Sequence, residues 1–221
     1  MISCNSLGNL GHLGNQMFQY ATLVSLCEHY ETTGCCPLYG RQFARSHIKD
    51  CFNLGKIQDG TCNTQNTYKE SKFNYSSDIF NLDKEKDWDI IGYFQSEKYF
   101  EKFSDSIRKE FSFKEEIKES CEKKYANLIK GSATSLHIRR TDYMVLSQVH
   151  TTLNDEYWLS SYKELPNTDQ VFVFSDDIEF CKSKFVDDSF FVFSENNTPY
   201  EDMCMMSMCD QHIIAIRCVE Y

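Results

Sequence analysis

Residues Ser135–Tyr143 read Ser-Leu-His-Ile-Arg-Arg-Thr-Asp-Tyr, and this run carries the strongest structural signal in the chain. Its apolar start is typical of a buried strand, on which alternate residues face the same side. Ser135, His137 and Arg139 therefore share one face. Two adjacent guanidinium groups at a strand end form a permanently charged, multi-donor site suited to phosphate or carboxylate oxygens. The ordinary alternative is a solvated strand end in which Asp142 pairs with one of the arginines.

The rest of the second half alternates short apolar runs with amphipathic segments. The pattern predicts strands at 134–139, 170–175, 190–193 and 212–216, with helices near 155–165, 178–185 and 200–209. Such alternation is typical of βαβ units around a parallel sheet, so the sequence predicts an α/β fold. In open sheets of this kind, ligands bind at the carboxyl ends of the strands. The arginine pair follows one of these strands.

The first half predicts a second domain with a weaker pattern. The predicted elements are a strand near 1–4, a helix from about 15 to 30, a strand at 89–94 and amphipathic helices carrying stripes at 99–111 and 117–128. Residues 32–83 are rich in Asn, Thr, Ser, Gly and Lys and predict a loop-rich segment with one or two short elements. We expect a domain boundary near residue 131, with a first domain at 1–131 and an α/β domain at 132–221.

Composition limits the classes of function. The chain has 221 residues and a net charge of −10, which disfavours a general nucleic-acid or anionic-membrane surface. No apolar window reaches the length of a membrane span, and the start lacks the pattern of a secretory signal. A cytoplasmic location is therefore expected, with peripheral attachment to a membrane left open. The eleven cysteines include no Cys-x-x-Cys pair, which favours reduced thiols over a zinc site.

Two further motifs offer polar groups at the ends of strands. Glycines recur at Gly8, Gly11 and Gly14 between the first strand and the first helix, where backbone N–H groups can meet an anion. Asn15 and Gln16 follow; their amides could cap the helix or bind sugar hydroxyls. The pattern taken by itself favours a tight turn with Asn15 as the N-cap.

The second motif is Val171–Asp177, a strand that ends in Ser175, Asp176 and Asp177. An acid there can pair with a base edge or with ribose hydroxyls, while the ordinary alternative is that one aspartate caps the following helix. Cations at one strand end and acids at the next suit a nucleotide. The Asp-Trp-Asp run at 87–89 has the spacing of a metal motif, but its charged surroundings favour a solvated loop, and we predict no metal site.

Five ordered segments together resemble the α-1,2-fucosyltransferases of glycosyltransferase family 11. They are residues 11–21, 92–100, 137–143, 174–177 and 200–203. The resemblance implies a GT-B-like α/β fold of two Rossmann-like halves, each with a parallel sheet. It also implies inverting transfer of fucose from GDP-fucose, without a metal or other cofactor, to the 2-hydroxyl of a terminal galactose on a glycan. Members of the family work in association with membranes.

The resemblance also implies roles for individual residues. Arg139 and Arg140 would hold the pyrophosphate of the donor. The general base would be His137, Asp142 or Asp202, and the sequence does not choose among them. The remaining donor-binding residues implied by the resemblance are Gly14, Asn15, Gln16, Ser175, Asp176, Asp177 and Asp202.

The end of the chain departs from the family pattern. After His212–Ala215 the family continues into a segment rich in Ser and Trp, whereas this chain reads Ile-Arg-Cys-Val-Glu-Tyr and stops. The sequence therefore predicts an incomplete C-terminal half. This leaves two alternatives to an active transferase: an inactive remnant that binds only a glycan or nucleotide, and a general nucleotide- or phosphoester-binding α/β protein.

Overall fold

The computed structural model describes residues 1–39, 47–125, 131–141, 153, 155–186 and 189–214. The chain divides into two compact units, Met1–Lys114 and the part from Glu115 onward. This division differs from the predicted boundary near residue 131. Helix 115–125 belongs to the C-terminal unit because its apolar stripe, which includes Cys121 and Tyr125, is buried there.

The N-terminal unit contains a five-stranded parallel sheet. Its strands are β1 (Ile2–Ser3), β2 (Gly34–Cys36), β3 (Gln58–Asp59), β4 (Asn66–Lys69) and β5 (Trp88–Ile91), in the spatial order β3-β2-β1-β5-β4. The predicted strands near 1–4 and 89–94 are confirmed as β1 and β5. The segment predicted to be rich in loops holds three further strands, each too short to show a two-residue periodicity.

The helices of this unit are α1 (Leu13–His29), α2 (Ile48–Cys51) and α3 (Ser104–Glu110), with short 3-10 turns between 97 and 103. Glu110 at the end of α3 is buried. Its carboxylate accepts hydrogen bonds from the Tyr20 hydroxyl at 2.6 Å and from the backbone N–H groups of Gly55 and Lys56 at 2.9 Å each. Burial, reinforced by the bond to Glu110, raises the pKa of Tyr20. One buried acid thus ties the loop before β3 to α1 and α3.

The C-terminal unit contains a four-stranded parallel sheet with helices. Its strands are β6 (Ala133–Ile138), β7 (Gln170–Ser175), β8 (Phe191–Phe193) and β9 (Gln211–Ile214), in the spatial order β8-β7-β6-β9. Its helices are α4 (Glu115–Tyr125), α5 (Asp155–Ser161), α6 (Ile178–Lys184) and α7 (Pro199–Ser207). All four predicted strands and the three predicted helices that follow β6 are confirmed within a few residues, and so is the α/β class.

Both faces of the second sheet are buried. Leu136, Ile138 and Val173 belong to one apolar cluster, together with Trp158. Phe172 and Phe174 belong to another, with Tyr125 and Met205. Strands covered on both faces read as continuous apolar runs, and this is why they stand out in the sequence.

The cysteines do not all match the expectation of reduced thiols. Cys35 on β2 forms a disulfide with Cys62, so the expectation is wrong for this pair. The other described cysteines are buried thiols: Cys4, Cys27, Cys36, Cys51, Cys121, Cys181, Cys204 and Cys209. Burial raises the pKa of Cys27 to about 12, which makes this thiol a poor nucleophile. Within the described residues, no helix combines the length and apolar character that crossing a bilayer requires.

Candidate functional site

The strand order of the C-terminal unit points to one edge of its sheet. The chain runs from β6 to β7 and β8 on one side and then returns to β9 on the other side of β6. The direction of winding therefore reverses between β6 and β9. In open parallel sheets, ligands bind beyond the carboxyl ends of the strands at such a reversal. Arg139 and Arg140 follow directly after β6, so the strand order places the predicted arginine pair at this position.

His137 lies on β6, two residues before Arg139. It is in register with Phe174 of β7 on one side and with Ile214 of β9 on the other. Burial is the main cause that lowers the pKa of His137, and the positive charge of Arg139 lowers it further. The carboxylates of Asp176 and Asp202 act in the opposite direction. The charges of Arg139, Asp176 and Asp202 therefore all act on His137. The His137 imidazole stays neutral to a lower pH than that of an ordinary histidine.

Asp176 is engaged by the backbone that follows β6. Its carboxylate accepts the N–H of Arg140 at 2.8 Å, the N–H of Thr141 at 3.2 Å and the hydroxyl of Thr141 at 2.5 Å. These bonds hold the end of β6 against the end of β7. The acid thus shapes the loop that carries the arginines, a role that a sequence pattern does not show.

Asp177 caps the next helix. It is the N-cap of α6 and its Oδ1 accepts the N–H of Phe180 at 3.3 Å, while its own N–H donates to the Ser175 hydroxyl at 3.0 Å. The alternative in which one of the two aspartates caps a helix is confirmed for Asp177. Its other oxygen accepts a bond from Arg140 Nε at 3.3 Å.

The two arginines are placed differently. The Cζ atom of Arg140 lies 3.4 Å from the centre of the Phe180 ring. With the Asp177 pair, this stacking gives Arg140 a structural role. Arg139 is half-buried, and its charge acts on His137. The role of Arg139 and Arg140 as pyrophosphate ligands, which the resemblance implies, stays a prediction.

Asp202 lies in the first turn of α7 within a polar network. Its Oδ1 accepts the Ser194 hydroxyl at 2.6 Å and Asn197 Nδ2 at 3.0 Å. Asn197 Nδ2 also lies 2.6 Å from the Ser194 hydroxyl and contacts the Tyr125 hydroxyl. Sequence reasoning missed Ser194 and Asn197. The signal that could have found them is the polar run between β8 and α7, where a buried serine precedes a capped helix.

The glycine loop of the N-terminal unit is built around one contact. Gly11 has φ +80°, and a Cβ atom there would lie 1.9 Å from Asn15 Nδ2. Asn15 is inside α1, whose N-cap is His12, so the prediction that Asn15 caps the helix is wrong. Asn15 Oδ1 instead accepts a hydrogen bond from Gln95 Nε2, which joins the start of α1 to the loop after β5.

The other two donor-binding candidates of this loop differ in exposure. Gly14 is exposed at the start of α1, and a Cβ there would meet open space. Gln16 is fully buried, and its Oε1 accepts the N–H of Ile48 at 3.3 Å. The structure therefore gives Gln16 a packing role, which does not support its predicted contact with a ligand.

The sequence profile described as glycosyl transferase family 11 matches residues 2–219, nearly the whole chain. The chain belongs to glycosyltransferase family 11.

Two curated relatives from Escherichia coli are similar to this family 11 chain. One is an alpha-1,2-colitosyltransferase, 30% identical over 93% of this chain and 81% of the relative. The other is the O-antigen biosynthesis glycosyltransferase WbnK, 27% identical over 97% of this chain and 86% of the relative.

Solved structures show the same fold. POFUT1 in complex with GDP-fucose has a TM-score of 0.63 at 13% identity, over 96% of this chain and 89% of that one. At this identity the likeness establishes the fold alone. The expectation of a GT-B-like α/β fold with two Rossmann-like halves is confirmed.

Two further predictions about this family 11 chain concern Asp142 and the Asp-Trp-Asp run. Asp142 falls outside the described residues, so its role as a candidate base stays a prediction. The Asp-Trp-Asp run is split: Asp87 pairs with the N-terminal amine of Met1 at 2.6 Å, whereas Asp89 is buried and accepts the Ser3 hydroxyl at 2.8 Å. In the described part of the chain, no group of three or more His, Cys, Asp or Glu side chains is arranged to hold a metal ion.

Proposed function

We propose that this protein transfers fucose from GDP-fucose to the 2-hydroxyl of a terminal galactose on a glycan, with inversion at the anomeric carbon and without a metal. The observation that carries the proposal is the placement of Arg139 at the winding reversal of a family 11 chain, near a half-buried histidine and two carboxylates. The α-1,2 linkage in the name of one relative and the GDP-fucose bound to POFUT1 support it.

In the proposed reaction, the acceptor oxygen forms a bond to the anomeric carbon as the bond from that carbon to GDP breaks. The leaving GDP gains negative charge on its phosphate oxygen. A fixed guanidinium at Arg139 stabilises that charge without having to reorganise during the step. Arg140 stacks on Phe180 and pairs with Asp177, and we propose that it supports the loop that carries Arg139.

The acceptor hydroxyl must lose its proton in the same reaction. A general base works best when it is unprotonated at the operating pH. His137 meets this condition because burial and Arg139 lower its pKa. Asp202 is the second candidate, since Ser194 and Asn197 orient its carboxylate. Two of the three candidate bases that the resemblance implies, His137 and Asp202, are therefore among the described residues. The pH dependence of kcat/KM in variants of each residue distinguishes between them.

The donor sugar has a second candidate. The relative that is 30% identical is named for colitose, a sugar that lacks the 3-hydroxyl of fucose. Comparing kcat/KM for GDP-fucose and GDP-colitose with the same acceptor decides between them. A site that hydrogen-bonds the 3-hydroxyl would reject the donor lacking it strongly, because its own polar groups would be left unpaired.

The experiment that tests the proposal is a calorimetric titration of the full chain with GDP-fucose in EDTA, followed by an acceptor assay with a terminal galactoside. We expect binding in EDTA that Arg139→Ala weakens, and transfer of fucose to the galactoside. Circular dichroism of both proteins controls for folding. A folded chain that binds neither GDP-fucose nor GDP-colitose would contradict the proposal. It would support the alternative of an inactive remnant that binds only a glycan.

A further inference from the structure

An exposed group of aromatic rings lies in the N-terminal unit at the carboxyl ends of β4 and β5. We call Phe73, Tyr75 and Tyr93 the aromatic surface. Phe73 is 66% exposed and Tyr75 38% exposed, and the centres of the Phe73 and Tyr93 rings lie 5.8 Å apart. Exposed aromatic groups at the carboxyl ends of parallel strands are a feature of ligand sites.

The backbone beneath these rings is anchored from two sides. The Glu70 carboxylate accepts the N–H of Tyr93 at 2.7 Å and that of Phe94 at 3.1 Å, and Phe94 is held at φ +51°. Gly92 makes room for this contact, because a Cβ there would lie 2.5 Å from Glu70 Cβ.

The loop that carries Tyr75 is anchored by Tyr99. The Ser76 N–H donates to the Tyr99 hydroxyl at 3.0 Å, and the Tyr75 and Tyr99 ring centres lie 4.9 Å apart. Tyr99 itself is buried. The backbone is therefore held in place at Tyr93 and next to Tyr75, which lowers the entropic cost of binding a ligand there.

Polar groups border the aromatic surface. Gln95, two residues from Tyr93, is exposed and its amide is oriented by the bond to Asn15. Lys98 Nζ lies 5.9 Å from the centre of the Tyr75 ring. Flat apolar faces with amide and ammonium donors at the border match a sugar ring, which has an apolar C–H face and a polar hydroxyl edge.

The size of the surface favours a small ligand over a protein partner. Three aromatic side chains expose at most roughly 150–250 Å² each. A stable protein interface needs about 800 Å² on each partner. A pyranose ring covers one or two aromatic rings, so the available area suits one sugar.

We propose that Phe73 and Tyr93 bind a sugar ring of the acceptor glycan by stacking, and that Gln95 donates or accepts a hydrogen bond at its hydroxyl edge. This inference rests on the proposed function and adds the acceptor residues to it. Galactose suits the surface, because its axial 4-hydroxyl leaves the C–H groups of carbons 3, 4 and 5 together on the opposite face. The stacked face is thus the apolar one.

The test is steady-state kinetics of the full chain with saturating GDP-fucose and varied galactoside. We expect Phe73→Ala and Tyr93→Ala each to raise the acceptor KM about threefold to tenfold, with kcat and the Kd for GDP-fucose unchanged. Phe73→Trp keeps a flat ring and should keep the KM near that of the parent. Lys72→Ala changes the neighbouring side chain of the same loop and should leave all three values unchanged.

An unchanged acceptor KM in both folded alanine variants would overturn the inference while leaving the proposed function standing. If the chain transfers no sugar, saturation-transfer difference NMR with methyl β-galactoside tests the surface alone. A signal that Phe73→Ala abolishes supports the inference, and no signal from the parent protein overturns it. A dimer in size-exclusion chromatography that Phe73→Ala dissociates would also overturn it, because the rings would then serve self-association.

Discussion

The Cζ atom of Arg140 lies 3.4 Å from the centre of the Phe180 ring, and its Nε donates to Asp177, the N-cap residue of the same helix. The guanidinium thereby joins the end of β6 to the start of α6. Adjacent arginines that look equivalent in the sequence consequently have different surroundings: Arg140 is held by the fold, while the charge of Arg139 acts on His137.

For the two arginines we predict effects on different quantities: stability for Arg140→Lys and catalysis for Arg139→Lys. Arg140→Lys loses the planar stacking, so we expect the free energy of unfolding to fall by about 1–2 kcal/mol. For a chain of this size that corresponds to a decrease in Tm of roughly 2–8 °C. Arg139→Lys keeps the charge but loses the planar fork that binds phosphate with two hydrogen bonds, so kcat/KM should fall about tenfold to hundredfold. Differential scanning fluorimetry and initial rates measure both. Near-normal turnover of Arg139→Lys would contradict the phosphate role.

The pKa of His137 gives a pH prediction. Because burial and Arg139 lower this pKa, the unfolded chain binds more protons than the folded chain just below pH 6.5. The free energy of unfolding should therefore fall as the pH drops from about 6.5 through the folded-state pKa, and His137→Gln should remove this dependence. Arg139→Ala should raise the pKa of His137. An NMR titration of the imidazole in the parent and in Arg139→Ala measures the shift; a pKa that does not rise would show that the two groups are not coupled.

The network around Asp202 predicts the effect of one added charge. Asn197→Asp keeps the shape of the side chain but sets a second carboxylate beside Asp202 Oδ1, where the two like charges repel each other. If Asp202 is the base, the acid limb of kcat/KM moves to higher pH, whereas a limb set by His137 moves much less. Asn196→Asp is the matched control, because it adds the same charge at an exposed neighbouring residue. Asn196 has a positive φ, which aspartate tolerates. Equal shifts in both variants would exclude a specific contact with Asp202.

Substituting Gly11, in the loop before α1, and Gly14, in the first turn of α1, should change the free energy of unfolding in opposite directions. Gly11→Ala forces a side chain into the left-handed region and against Asn15, so we expect a loss of at least about 1–2 kcal/mol. Gly14→Ala places a methyl group in open space on a helix, so we expect a gain of about 0.4–1 kcal/mol. Urea titrations monitored by circular dichroism give both values. A Gly11→Ala variant as stable as the parent would show that the loop relaxes without cost.

The N-terminal unit shows the limit of pattern reading. β2 and β3 have three and two residues, and the exposed pair Gln58–Asp59 has no apolar signature at all. These segments are strands because a neighbouring strand supplies hydrogen bonds along the sheet, and that neighbour is distant in sequence. The aromatic surface leaves no pattern in the sequence for the same reason. Phe73 and Tyr93 follow β4 and β5, and the pairing of these two strands brings their rings into contact.

The sequence by itself determined the α/β class, the strands of the C-terminal unit and membership of family 11. Apolar runs buried on both faces of a sheet, alternating with helices, leave a periodic signal that needs no knowledge of distant contacts. Only the tertiary structure decided which contacts the polar candidate side chains make within the fold. Gln16 accepts a backbone hydrogen bond from α2, Asp176 accepts the N–H groups of Arg140 and Thr141, and Arg140 stacks on Phe180, a residue 40 positions farther along the chain. A local pattern cannot encode such partners, because each depends on where the folded chain brings another segment.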